Sequence, residues 1–128
     1  MPAVIRKSQS LIVESRRETY TTVTWHVRSN TWRPPTDMFE TEKGLVVKVD
    51  IAGIRDDDIE VVVSNKLLSI NGVRSDSSER RAFHQMEIPY GGFAVNIELP
   101  VSVDTDNATA EYKDGFLIIH LPKEEMEI

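Results

Sequence analysis

Residues 45–63 read LVVKVDIAGIRDDDIEVVV, two period-two runs around a polar turn. Leu45, Val47, Val49 and Ile51 alternate with Val46, Lys48 and Asp50, and Ile59, Val61 and Val63 share one face of the second run. Side chains on a strand alternate between faces, so this spacing predicts β-structure and excludes a long helix here. The pattern recurs along the chain. MFETEK precedes these runs, and the Asn65-Lys66 turn leads into LLSING, expected to end at Gly72. FAVNIELP is closed by Pro100. ATAEY and FLIIHLP form a hairpin across Lys113-Asp114-Gly115, where Asp-Gly supplies the positive backbone dihedrals of a tight turn. Seven to nine short strands with frequent turns predict an all-β sandwich.

The Pro34-Pro35 pair separates this body from an arm. The arm is expected to hold a short helix around LIVESRRE and a strand within TYTTVTWHVRSNTW. Residues 73–90 read as a polar loop, with RRAFHQMEI its most strand-like part. The 128 residues suffice for one domain with a real core. There is no cysteine, so disulfides and thiolate metal sites are excluded. No apolar run approaches the ~20 residues of a membrane span, and MPAVIRKSQS lacks the apolar centre of a secretory signal. A cytoplasmic location is the expectation. Residues 1–36 hold six Lys/Arg and two Asp/Glu, net +4, while the rest hold nine and nineteen, net −10. An acidic body lacks the cationic surface that nucleic acid requires.

Chemistry-bearing motifs are missing. His26, His84 and His120 lie far apart, without HExxH spacing, and His120 should face away from Ile119 and Leu121. Asp56-Asp57-Asp58 lacks the spaced ligands and glycine turn of a calcium loop and reads as a solvated turn. There is no GxSxG elbow and no phosphate-cradling glycine loop. No enzyme activity, cofactor or metal is expected. One oddity remains: Val62, opposite Ile59, Val61 and Val63, is apolar too. Both faces of one strand cannot enter one core. Either one face lines a groove at the sandwich border, or both are covered within the domain.

Four segments in register resemble the α-crystallin domain of the small heat-shock proteins. They are WRPPTDMFET, VDIAGIRDDDIEVVVSNKLLSINGVR, FHQMEIPYGGFAVNIELP and AEYKDGFLIIHLPK, the last with Ala110, Asp114-Gly115, Leu117 and Pro122-Lys123. The resemblance covers roughly residues 32–123, with 1–31 as an N-terminal arm and 124–128 as a short tail. It implies an immunoglobulin-like sandwich and an ATP-independent chaperone that holds unfolding clients, working as dimers in larger homo-oligomers. It implies that Arg80, Arg81, Ala82, Phe83, His84, Gln85, Met86 and Glu87 form a strand that pairs with a partner's edge near Trp32 to Asp37. It implies that the C-terminal pair Met126 and Ile128 docks in a groove. Ile59, Val61 and Val63 would form one wall, and the strand with Thr109 and Glu111 the other. Leu11, Ile12, Val13, Tyr20, Val23, Trp25 and Trp32 would be the client-binding apolar groups.

The chain departs from that family in three places. Met126 replaces a branched residue. Only Lys123, Glu124 and Glu125 separate Pro122 from Met126, so five residues from Leu121 span at most about 17 Å. Val95 stands where an interface arginine is usual. A monomeric co-chaperone or scaffold module of related sandwich fold, binding one defined partner, is the competing reading.

Overall fold

Alternating apolar residues need a second sheet to bury them, and the chain supplies two sheets. The computed structural model describes residues 4–6, 12–14 and 31–124. Among these are β1 (Val4–Arg6), β2 (Ile12–Glu14), β3 (Thr36–Thr41), β4 (Gly44–Asp50), β5 (Ile59–Val63), β6 (Leu67–Arg74), β7 (Gly91–Glu98), β8 (Thr109–Lys113) and β9 (Phe116–Leu121). One sheet runs β1-β2-β5-β6-β7 and the other β3-β4-β9-β8. All neighbouring pairs are antiparallel except β2 with β5, which is parallel. This is the all-β sandwich the sequence predicts.

The core lies between the sheets. Val47, Val49, Ile51, Leu117, Ile119 and Leu121 face it from one side, and Val61, Val63, Leu68, Ile70, Phe93 and Val95 from the other. Burying each such side chain contributes about 1.5–3 kcal/mol. Tyr112 ties the end of β8 to the turn after β4: its hydroxyl donates to the Ile51 carbonyl (2.8 Å) and accepts from the Ile54 N–H (3.3 Å). The β8–β9 hairpin turns on Asp114 and Gly115, with φ of 55° and 85°, the left-handed pair that Asp-Gly adopts readily.

Several expectations are corrected. The LIVESRRE segment is not helical where it is described, because Ile12–Glu14 is the strand β2. Ile12 and Val13 are β-branched, stiff in a helix and suited to a sheet, and the bare edge of β5 offers them hydrogen bonds. Gly72 does not end its strand; β6 continues to Arg74, pairing Gly72 with Ile59 and with Phe93. Asp56–Asp58 is, as its sequence predicts, a turn before a strand, here a single 3₁₀ turn leading into β5. The proposed strand in TYTTVTWHVRSNTW lies outside the described residues, except at its end. There Trp32 bridges to Phe93 through backbone bonds from its N–H to the Gly92 carbonyl and from the Ala94 N–H to its own carbonyl.

Candidate functional site

Two borders of the sandwich are built differently from the rest. The first involves β3. Its inner side pairs with β4 along its whole length, and among the described residues nothing pairs with its outer side. An open edge carries unpaired N–H and C=O groups that will accept another strand. Met38 and Phe39 on this edge are 40% and 46% exposed. Neither was singled out from the sequence, although two adjacent apolar residues in a short strand put one on each face.

The loop between β6 and β7 carries the same chemistry. Every residue from 75 to 90 is exposed. Phe83, Met86 and Ile88 expose 50%, 62% and 59% of their surface. The contacts of this loop run largely along itself. Arg81 forms an ion pair with Asp76 and its guanidinium stacks on the Phe83 ring, 4.8 Å from the centroid. Gln85 Nε2 donates to the Glu87 carboxylate. Arg80 to Glu87 therefore form no strand within the subunit, and Ala82 and His84 are exposed with the rest. A strand needs a partner, and among the described residues this segment has none.

Arg74 pins the loop to the body. Its Nε donates to the Ala52 carbonyl (3.1 Å) and its Nη1 to the Pro89 carbonyl (2.9 Å). Its guanidinium also lies 4.6 Å from the Trp32 ring centroid. Trp32 in turn packs on Phe93, with centroids 5.5 Å apart, and its indole N–H donates to the Gly91 carbonyl (3.2 Å). Trp32 is thus a half-buried anchor where the arm meets the domain. Arg74 was not legible as special, because a single arginine at the end of a strand carries no motif. Arg74→Ala is expected to lower stability by about 1–2 kcal/mol, since two bonds and a cation–π contact are lost at a partly exposed site. Arg74→Lys should recover less than half, because an ammonium cannot reach both carbonyls while stacking. The shift in urea midpoint measures both.

The second border lies between β5 and β8. Ile59, Val61 and Val63 are buried and face the core, and Val62 on the opposite face is 5% exposed beside Ser69 at 4%. Both faces of β5 are thus covered within the chain. Thr109 and Glu111 are half-buried on β8, flanking Ala110, which faces the core. The border is not empty: β2 pairs with β5, placing Val13 opposite Val61 and Glu14 opposite Val62, and it also lies against β8. Of the arm residues, Ile12 and Val13 are in β2; Leu11, Tyr20, Val23 and Trp25 lie outside the described residues, as do Met126 and Ile128. The chain leading to that tail is tied down. The Asp104 N–H donates to the Pro122 carbonyl (2.8 Å), and the Glu124 N–H to the Ser102 carbonyl (3.0 Å). Lys123 pairs with Glu40.

Val95 is fully buried in the core, so an arginine at that register would be buried as well; Ala94 and Asn96 are its outward-facing neighbours. His120 is exposed, as its place in the alternation predicts. Among the described residues no three His, Cys, Asp or Glu side chains cluster as metal ligands.

The sequence and the fold both have known counterparts. A model of the Hsp20/alpha crystallin family matches residues 37–128. Small heat shock protein C4 of Rickettsia felis is 34% identical over 102 residues, which is 78% of this chain and 63% of that one. The chain spans less than two thirds of the length of such curated relatives. A small heat-shock protein from Xylella fastidiosa, described as having a distinct high order structure, superposes with a TM-score of 0.68 at 35% identity, covering 77% of this chain and 92% of that one. HspA from Xanthomonas axonopodis gives 0.67 at 36%, covering 73% and 95%.

Proposed function

The chain belongs to the Hsp20/alpha crystallin family, and on that premise we propose that it is an ATP-independent holdase, acting as dimers assembled into larger oligomers. The family is one of chaperones, not of enzymes. Unfolding proteins expose apolar side chains and bare strand edges. A protein that holds them needs complementary surface of its own. The observation that carries the reading is the pairing of an apolar exposed loop, with Phe83, Met86 and Ile88, and an open edge at β3.

In the dimer, the segment Arg80 to Glu87 crosses to the partner and adds a strand to its β3, with backbone bonds for affinity and alternate side chains for register. The Met126 to Ile128 tail of another subunit enters the border of β5 and β8, which Thr109 and Glu111 flank. The high order structure reported for the Xylella protein supports such assembly. Residues 1–31 act as the arm that meets clients, 32–123 as the domain, and 124–128 as the tail. The cytoplasm is the proposed location; among the described residues no helix is long and apolar enough to cross a membrane. Clients and other copies of the chain are the partners, and no nucleic acid is among them.

The test is light scattering from a heat-denatured model client. At near-stoichiometric ratio and without ATP, this protein should suppress most of the aggregation. A client that aggregates equally with and without it ends the holdase reading. A second reading, a single-subunit module for one defined partner, draws on the strand β2, which covers the β5 edge within one chain. Native mass decides between them: a strict monomer at micromolar concentration favours the module.

A further inference from the structure

The edge of β5 is occupied by the chain's own arm. Strand β2 runs parallel to β5 and touches β8 across the sandwich border. Strand β1 pairs with the far side of β2, matching Val4 with Glu14, Ile5 with Val13 and Arg6 with Ile12. The arm thus enters as a hairpin and moves the exposed edge outward to a three-residue strand. A short edge with a charged residue is a poor template for further pairing.

One strand edge takes one partner. Leu11 and Val13 repeat the spacing of Met126 and Ile128, two apolar residues two apart. The two segments are therefore alternative occupants of one border. Chain geometry favours the arm. From Trp32, which bridges to the outer side of β7, to β2 on the outer side of β5 is four strand spacings, about 19 Å, and the residues between Glu14 and Thr31 can extend about 55 Å. The tail is more restricted, because Glu124 is bonded to Ser102 and only Glu125 separates it from Met126. Met126 lies within about 7 Å of Glu124.

We propose that residues 12–14 are a built-in plug of the border between β5 and β8, which must leave before a tail from another copy can pair there. Its departure does two things at once: it bares the β5 edge and frees the segment Ile12–Glu14 for other pairing. Competition with the tail rests on the docking reading given above; the seating of the arm does not.

The chain has no cysteine, so an engineered pair reports without background. Glu14 and Val62 are register partners on neighbouring strands, at a separation a disulfide accepts. In the full-length double variant Glu14→Cys, Val62→Cys, mild oxidation is expected to close a bond within one chain, seen as a monomer-sized band on a non-reducing denaturing gel. A bond between two chains, or no bond in protein that keeps its β-sheet circular dichroism, overturns the plug. Val13→Pro tests the same point without touching the domain, since proline removes a strand donor. A labelled peptide of residues 119–128 should bind this variant at least tenfold tighter than the parent, and the oxidised double variant no tighter than the parent. Equal affinity for Val13→Pro and the parent overturns the competition. Client protection is read separately in the parent: a parent that protects clients while the oxidised double variant forms no bond overturns the plug alone, and loss of protection in the parent removes the holdase reading whatever the gel shows.

Discussion

Replacing Phe93 by alanine is expected to cost about 3–5 kcal/mol of folding stability, the usual range for deleting a buried aromatic ring. Phe93 is 1% exposed and serves three contacts at once. It faces the core from β7, it carries the Trp32 ring, and its own ring lies directly over Gly72. A Cβ on Gly72 would fall 2.4 Å from Phe93 Cζ and 2.4 Å from the Asp58 carbonyl oxygen. The glycine is therefore a socket cut to fit the ring, and removal of the ring leaves a void bounded by fixed backbone. A domain of this size loses about 4–8 °C of melting temperature per kcal/mol, so thermal unfolding should move down by at least 12 °C or so. The same substitution removes the support of Trp32. In a Trp25→Phe background, the remaining indole emission should shift to the red in the native state. A melting point unchanged within a few degrees would mean that Phe93 is not the keystone of the β6–β7 face.

That socket also explains why part of the fold escaped the sequence. Strands β4, β5, β7 and β9 were legible because the alternating apolar residues in each are those that face the core, although Val46 and Val62 on the other faces of β4 and β5 are buried as well. The last hairpin was legible because Asp114-Gly115 has one favoured geometry. Gly72 misled, since a glycine in a strand is usually a stop, and only the ring of a residue on the neighbouring strand gives it a reason to continue. The arm misled for a related cause. LIVESRRE contains enough helix formers to read as a helix, and the deciding partner, the edge of β5, is distant in sequence. Ile59, Val61 and Val63 read as one face, and they are one face, yet that face is core; the border next to them is backbone edge, which no side-chain pattern displays. RRAFHQMEI has the composition of a strand and forms none in one subunit, because pairing is a property of two segments.

The same logic sets the second large effect. Phe83→Ser, Met86→Ser and Ile88→Ser, made together, are expected to leave the folded domain unchanged and abolish the proposed dimer at micromolar concentration. All three side chains are exposed to about half or more of their surface, so the single subunit gains little from them. Covering what remains exposed would contribute roughly 1–1.5 kcal/mol each at a partner's edge. The sum, about 3–4 kcal/mol, weakens association on the order of several hundred-fold. Melting of the isolated subunit should move by no more than a few degrees, whereas native mass should fall to that of one chain. Met38 and Phe39 offer the reciprocal experiment from the receiving edge. Their replacement by serine should weaken association as well, and combining both sets should add little, because a contact already lost cannot be lost again. A dimer that survives the triple change with its dissociation constant intact would mean that the subunits meet through some other surface. The exposed loop would then be left for clients alone.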